Sequence, residues 1–585
     1  MVYNMDTMKT PLFSLAVVCA VLACGATEWH VYSTPVNDAT GVQQMTNAFK
    51  QAKSGDVITI HAGTYNMTDP KEMMDPYFTA EGQTEYGENG TCYYSTVANL
   101  TVQGDPACTP DQVVLSGLGT NTGNYGYRRP LHLTADNCVV RNLKIVHGNC
   151  NYKRYMDGKD RGYDFRRGGG LMFGKSTSIV SNCVFSYCYA GQGAAVVNGS
   201  MIDCTFENSL SAAVALWPTR ISGCTFEGGN GAIWNGSGPV ENCTFNGCKS
   251  GGDCTAVVDV SGAKSGGAYV PPVIRGCTFA SCTAMCLKAP TGVGGEVSGC
   301  TFTNNNNGNA IGVASCLTNF IGTVSNCTFT GHFDFLADCT DVQACTFNSD
   351  GTTWAGKFDS VTSTVLADVT PVRRCALERC SFNAFNIRWG SITIDPISIR
   401  NCLFRDNVMW GCGFAGLWQF TPDATRDVEI ASCTVVSNQS NATIGFVDGI
   451  NCKLYFKNVL FHDNISGGQN RGWCDFFNLS PAVAASTFSN CVVRAANGIR
   501  QAEPLNGNSP NLLNQVIDPK FKHGDCPTHP FTLKRRSPYV NAGLVEDWMA
   551  TAVDLAGNPR VYGDGVDIGC YENCDPKDGL LLLFK

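Results

Sequence analysis

The chain has 585 residues, 44% of them hydrophobic and 15% charged, a composition that excludes an intrinsically disordered protein. Its 41 Lys and Arg stand against 49 Asp and Glu, a formal net charge of −8, which repels a phosphate backbone and excludes nucleic acid as an expected partner. Such a length implies several domains unless the chain is a repeat, which grows by adding coils instead of new cores.

From Met8 the run MKTPLFSLAVVCAVLACGAT puts one basic residue ahead of an apolar stretch and then small residues, the pattern of an export signal over residues 1–26. Two processing routes stay open. One is cleavage near Ala26; the other is lipid attachment at Cys24, where Val21-Leu22-Ala23-Cys24 resembles a lipoprotein box with an unusual Leu22. The expected location is secreted or cell-surface, with membrane contact only through such a lipid, because a membrane span needs ~20 apolar residues and this run is shorter.

Residues 39–53 carry Val42, Met45, Phe49 and Ala52 on one helical face, and Ser54-Gly55-Asp56 then leads into a strand from Val57 to Ile60. This helix is expected to plug the open end of a solenoid, whose terminal coil otherwise exposes unpaired edges. Further on, residues 152–167, YKRYMDGKDRGYDFRR, break an otherwise uncharged stretch and read as an exposed loop, suited either to sugar or protein contact or to covering the solenoid side.

One phrase then recurs about every 20 residues: Asn182-Cys183-Val184-Phe185, Asp203-Cys204-Thr205-Phe206, Gly223-Cys224-Thr225-Phe226 and Asn242-Cys243-Thr244-Phe245. It continues at Cys277, Cys300, Cys327, Cys345, Cys380 and Cys402, each followed two positions later by Phe, and fades at Cys433, Val459 and Cys491. Short apolar strands at such a period, without helical periodicity, predict a β-solenoid. In the unit Val240 to Phe245 the inward residues are read as Val240, Cys243 and Phe245, which requires a flip of pleat at the turn residue between them. The Asn positions are expected to stack from coil to coil, and the Phe column to fill the core. The 32 cysteines read mainly as a buried ladder of free thiols, with disulfides left open for loops, for example between Cys570 and Cys574.

Aligned on the Cys anchor, the strand some ten residues upstream has one outward position held in turn by Trp217, Trp234, about Asp259, Lys288, a small residue near Ala314, Asp334, Lys357 and Arg388. Trp217, Trp234 and Lys288 read as a stacking platform for sugar rings, and Asp334, Lys357 and Arg388 as an ionic centre on adjacent coils. For a uronic-acid polysaccharide, Arg388 would neutralise the carboxylate and Lys357 would remove the C5 proton in a β-elimination. Asp334 opposes this by holding Lys357 protonated, and is alternatively a calcium ligand. Simple solvation of outward charges, and packing of the two tryptophans under a loop, are the competing readings.

Ser54-Gly55-Asp56-Val57-Ile58, followed by Ala62-Gly63-Thr64-Tyr65, resembles the opening segment of exported bacterial right-handed parallel β-helix repeat proteins of the pectate-lyase-like superfamily. Asp518-Pro519-Lys520-Phe521, Leu533, Ser537-Pro538, Asn541-Ala542-Gly543, Asp554 to Arg560 and Val566 to Glu572 are similar to that family's closing module. The resemblance implies an all-β, single-path right-handed β-helix over residues 27–515 with an N-terminal capping helix, a closing module over 516–576 and a tail over 577–585. It implies little about activity, because the family holds polysaccharide lyases, hydrolases, epimerases and adhesins. The chain lacks the Gly-His-Gly of polygalacturonases, the Arg-x-Pro-x-x-Arg of calcium pectate lyases and the Asp-Pro-His-Asp of alginate epimerases. The expectation is a monomeric protein that binds or processes complex polysaccharide; a non-enzymatic adhesin or structural repeat protein is the alternative.

Overall fold

The computed structural model describes residues 25–37, 39–66, 91–117, 128–150, 155–156, 159–160, 167–209, 213–249, 254–290, 292–303, 305, 317–318, 320–330, 336–337, 341–348, 369–383, 386–387, 392–409, 416–420, 428–440, 443–447, 454–466, 487–492, 518–563 and 565–574. The chain forms two compact units, Met1–Val270 and Pro271–Lys585. In each, short strands pair in parallel with their counterparts one coil away, so each unit is a right-handed parallel β-helix.

The first unit opens with the strand Glu28–Val31, which pairs with Val57–Ile60. Between them lies the helix Gly41–Gln51, started by a reciprocal cap in which Thr40 Oγ1 accepts from Gln43 N and Gln43 Oε1 accepts from Thr40 N. Met45, Ala48 and Phe49 are buried, and Phe49 stacks on Tyr93 with ring centroids 5.4 Å apart. The helix therefore seals the apolar end of the first coils.

A typical later coil contributes three strands, and from Asn386–Ile387 to Ile465–Ser466 a fourth pairs in a small sheet of its own. Ala215–Leu216, Arg220–Ser222 and Thr225–Glu227, for example, pair with Ile233–Trp234, Val240–Glu241 and Thr244–Asn246 of the next coil. We call these positions the first, second and third sheet. Between the second and third sheets the residue before each cysteine is left-handed: Asn182 at φ 47°, Asp203 at 52°, Gly223 at 64° and Asn242 at 54°. Asx and Gly adopt this conformation most cheaply, and the bend lets Val240, Cys243 and Phe245 all point inward.

Inside the first unit Phe185, Phe206, Phe226 and Phe245 stack at centroid spacings of 5.3, 4.6 and 5.1 Å. The cysteines run alongside as free thiols, and burial pushes those of Cys183 and Cys188 up to about 12. They act as small apolar side chains, not nucleophiles. Cys570 and Cys574 are also free thiols, which corrects the expectation of a disulfide between them. Cys570 is buried against Thr434, whose hydroxyl accepts from Cys570 N at 3.0 Å, so it serves packing instead.

In the second unit the same interior recurs with Phe279, Phe302, Phe329, Phe347, Phe382 and Phe404 stacked in series. Asn407, Asn438 and Asn464 add a buried amide ladder, Nδ2 to Oδ1 at 2.8 and 2.9 Å, that satisfies each turn from its neighbour. Residues 518–574 do not form another coil. They lie against the outer face of the third sheet, where Leu403, Val436, Leu460 and Val492 pack with Phe521, Phe531, Leu533, Tyr539, Ile568 and Tyr571. Three turn asparagines fix this module: the side-chain amides of Asn401, Asn458 and Asn490 donate to the carbonyls of Val553, Leu544 and Ala542. Within it the fully buried Arg560 faces Glu572 at 3.0 Å and donates to the carbonyls of Asp567 and Gly569.

Candidate functional site

In the first sheet of the first unit, Leu131, Leu171, Val196, Ala215, Ile233 and Val258 point inward. Strand alternation then sends His132, Met172, Val197, Leu216, Trp234 and Asp259, paired rung to rung, to the outer face. That face is apolar and covered in the middle. Met172, Val197 and Leu216 are buried, with the half-buried Trp217 and Trp234 packed against them.

Two arginines build the cover. Arg167 lays its guanidinium over the Trp217 ring, 4.2 Å from the centroid, and its Nε donates to Gln192 Oε1 at 3.2 Å. Arg129 is 1% exposed and holds the backbone from which Arg167 departs: Nε donates to the Gly168 carbonyl at 2.9 Å and Nη2 to the Arg167 carbonyl at 2.7 Å. Its Nη1 lies 3.3 Å from His132 Nδ1, and since a guanidinium can only donate, the ring nitrogen is the acceptor of this contact.

Trp217 itself stands in a costly conformation. Its φ is 53°, in the turn after the first sheet, where the rungs on either side place Asn198 at φ 62° and Asn235 at φ 54°. Asparagine tolerates the left-handed region and uses its amide there: Asn198 Nδ2 donates to the Phe173 carbonyl, and Asn235 Oδ1 accepts from Gly262 N. A tryptophan gains neither benefit. Strain of this kind is of order 1–3 kcal/mol and persists where the surroundings enforce it, commonly at binding sites.

The register corrects part of the sequence-derived column. Trp234 pairs with Leu216, not Trp217, because Trp217 lies one residue on, in the turn. Asp259 does follow Trp234, yet it is buried: its carboxylate accepts from Thr255 N and Oγ1 and from Ser261 N and Oγ, so it braces a turn and is no free ionic group. In the second unit Lys288 is half-exposed on the strand Met285–Lys288 and pairs with Thr318. The following rungs are Ala337, Arg373 and Asp395, so Thr318 takes the place assigned near Ala314. Asp334, Lys357 and Arg388 lie outside the described residues, as do Ala314 and most of residues 152–166.

The sequence reading missed Arg129 and Gln192, and had Arg167 only as the last residue of the charged stretch 152–167. Arg129 had a readable signal, a charge inside the strand Arg128–Leu133, but not its carbonyl partners 38 and 39 residues away. A second polar group, also missed, lies at the N-terminal end: His61 Nδ1 is 2.8 Å from Asp105 Oδ2, and its Nε2 is 3.1 Å from His30 Nδ1. The amide of Ala107, then His61, hold the Asp105 carboxyl below its ordinary value. Among the described residues no three His, Cys, Asp or Glu side chains gather as a metal site, and no helix is long and apolar enough to cross a membrane.

No protein-family model matches the chain, and no curated protein matches its sequence. Among solved structures the chain is similar to the pectate lyase Pel9A, at 12% identity over 94% of this chain and 97% of that one, with a TM-score of 0.23. It is similar to the PL6 family polysaccharide lyase Pedsa3628 from Pseudopedobacter saltans at 11% identity, 93% and 99% coverage and a TM-score of 0.25. It is also similar to the pectin methylesterase PemA from Erwinia chrysanthemi at 12% identity, 60% and 99% coverage and a TM-score of 0.25. A likeness at this level says nothing of activity.

Proposed function

We propose that this chain is an exported polysaccharide-binding β-helix whose glycan surface is the outer face of the first sheet in the first unit, centred on Trp217 and Trp234. The observation that carries this reading is Trp217, a bulky aromatic in a left-handed turn whose flanking rungs use asparagine, paired there with Arg167. The indole of Trp234 would stack on the C–H face of a sugar ring, while the Arg167 guanidinium, lying over Trp217, would donate to hydroxyl or carboxylate oxygens. Gln192, on the same bridge as Arg167, adds an amide to that set.

β-Elimination on a uronic-acid glycan is the catalytic extension of the reading, with Arg388 neutralising the carboxylate, Lys357 taking the C5 proton and Asp334 either opposing it or helping to hold calcium. Its support is the presence of these three charged residues in the sequence; the rungs paired after Lys288 carry Thr318, Ala337 and Arg373.

Affinity electrophoresis of the full chain through gels containing uronic-acid and neutral polysaccharides tests the binding. Retardation by at least one glycan, reduced in Trp234→Ala, is expected. Unretarded migration in every gel contradicts the proposal. Absorbance of unsaturated sugar ends in the same mixtures, with and without calcium, tests elimination separately.

A further inference from the structure

The third sheet of the second unit carries a second kind of surface. Thr278, Thr301, Thr328, Thr346 and Ser381 occupy one outward position on five successive rungs in unbroken register, all half-exposed. Two residues on, Ala280, Thr303 and Thr330 form a parallel column. The strands read TFA, TFT, TFT, TFN and SFN, without a charge among them. The corresponding rungs of the first unit carry Glu207 and Glu227.

Behind the threonine column the rings from Phe279 to Phe382 stack 4.7 to 5.1 Å apart. The outward groups thus repeat at about 4.8 Å along the stack and about 6.7 Å along each strand. Threonine is stiff at χ1, so little side-chain freedom remains to be lost when the face is covered. At its far end Ser381 Oγ donates to Thr346 Oγ1 at 3.3 Å, and the next rung, Leu403, lies under the closing module.

We propose that this face binds ice. A sugar chain is held by aromatic faces and converging polar groups, a nucleic acid by cations, and a protein partner by an apolar or charge-complementary patch; these five strands offer none of these outward. The surface of ice is uncharged, rigid and periodic. Its oxygen rows repeat within a few tenths of an ångström of the rung spacing, so hydroxyls can take lattice positions while the threonine methyls sit in the cages between them. The inference is independent of the glycan reading, which concerns a different face in the other unit.

The test is ice growth in the presence of the full chain, followed as the gap between melting and freezing points and as inhibition of recrystallisation. A measurable gap and faceted crystals are expected. Thr301→Lys/Thr328→Lys should lose most of that activity with an unchanged circular-dichroism spectrum, while Thr205→Lys/Thr225→Lys in the first unit should keep it. Should the first lysine pair lose its fold, Thr301→Ser/Thr328→Ser, which removes only methyls, is expected to lower the activity clearly. Unaltered ice growth with the native chain, or full activity in a folded Thr301/Thr328 variant, would overturn the proposal.

Discussion

Within the second unit, the third sheet presents the same outward position in two ways. From Thr278 to Ser381 it is hydroxylic and half-exposed, whereas at Leu403, Thr434, Leu460 and Val492 it is buried under residues 518–574, three apolar side chains and one threonine whose hydroxyl accepts from Cys570 N. The interior does not register the change: Cys380 and Phe382 before the boundary are as buried as Cys402 and Phe404 after it. The inward residues thus determine that a coil forms, and the outward residues of several coils together determine what that stretch meets.

The largest effects should fall where the two stretches are alike. Phe302→Ala under the bare face and Phe404→Ala under the covered one each remove a fully buried ring from a continuous stack and are expected to destabilise by ~3–5 kcal/mol. Denaturant unfolding followed by circular dichroism measures both, and markedly unequal losses would break the claim that the interior is uniform.

Leu460→Ala should separate the stretches. It removes an apolar contact with the closing module, at about 2–5 kcal/mol, and limited proteolysis should then cut within residues 518–574 while the rungs from Thr278 to Ser381 stay protected. Simultaneous cleavage throughout the unit would show that module and coils are not separable in this way.

The module should also respond to pH where the bare rungs do not. Burial pushes the Glu572 carboxyl up to about 8, with Arg560 pulling the other way. A folded-state value above the unfolded one means that this contribution to stability is fully present below pH ~4.5 and is lost as pH rises through about 8. Proteolysis of residues 518–574 should therefore accelerate as pH rises from about 4.5 to about 8 and level off above that, and Glu572→Gln should flatten that slope; an unchanged slope would contradict it. At the smallest end, Thr328→Val on the bare face should alter stability by no more than about 0.5 kcal/mol, as for exposed positions generally.

Much of this was legible in the residues. The Cys-x-Phe period exposes the coil because inward positions are chemically uniform, and Val42, Met45, Phe49 and Ala52 announce the cap by their helical spacing. The outward register was not, because loops of different length separate the strands and counting back from each cysteine slips by a residue or more. Trp217 falls into a turn, and the rungs after Lys288 prove to be Thr318, Ala337 and Arg373. Arg129 and Arg167 could not have been placed, since what they hold is backbone and an indole from other coils. Nor was the docking of the closing module legible: only the pairing shows that Leu403 follows Ser381 in the outward column and that Thr434, next in line, is covered as well.

The central functional claim is that the strain at Trp217 is retained for binding, and Trp217→Asn tests it with two readouts on one variant. Asparagine matches the flanking rungs, so unfolding stability should stay level or rise by about 1 kcal/mol while retardation by the bound glycan falls. A variant that loses stability and keeps its glycan affinity would show that Trp217 serves packing alone.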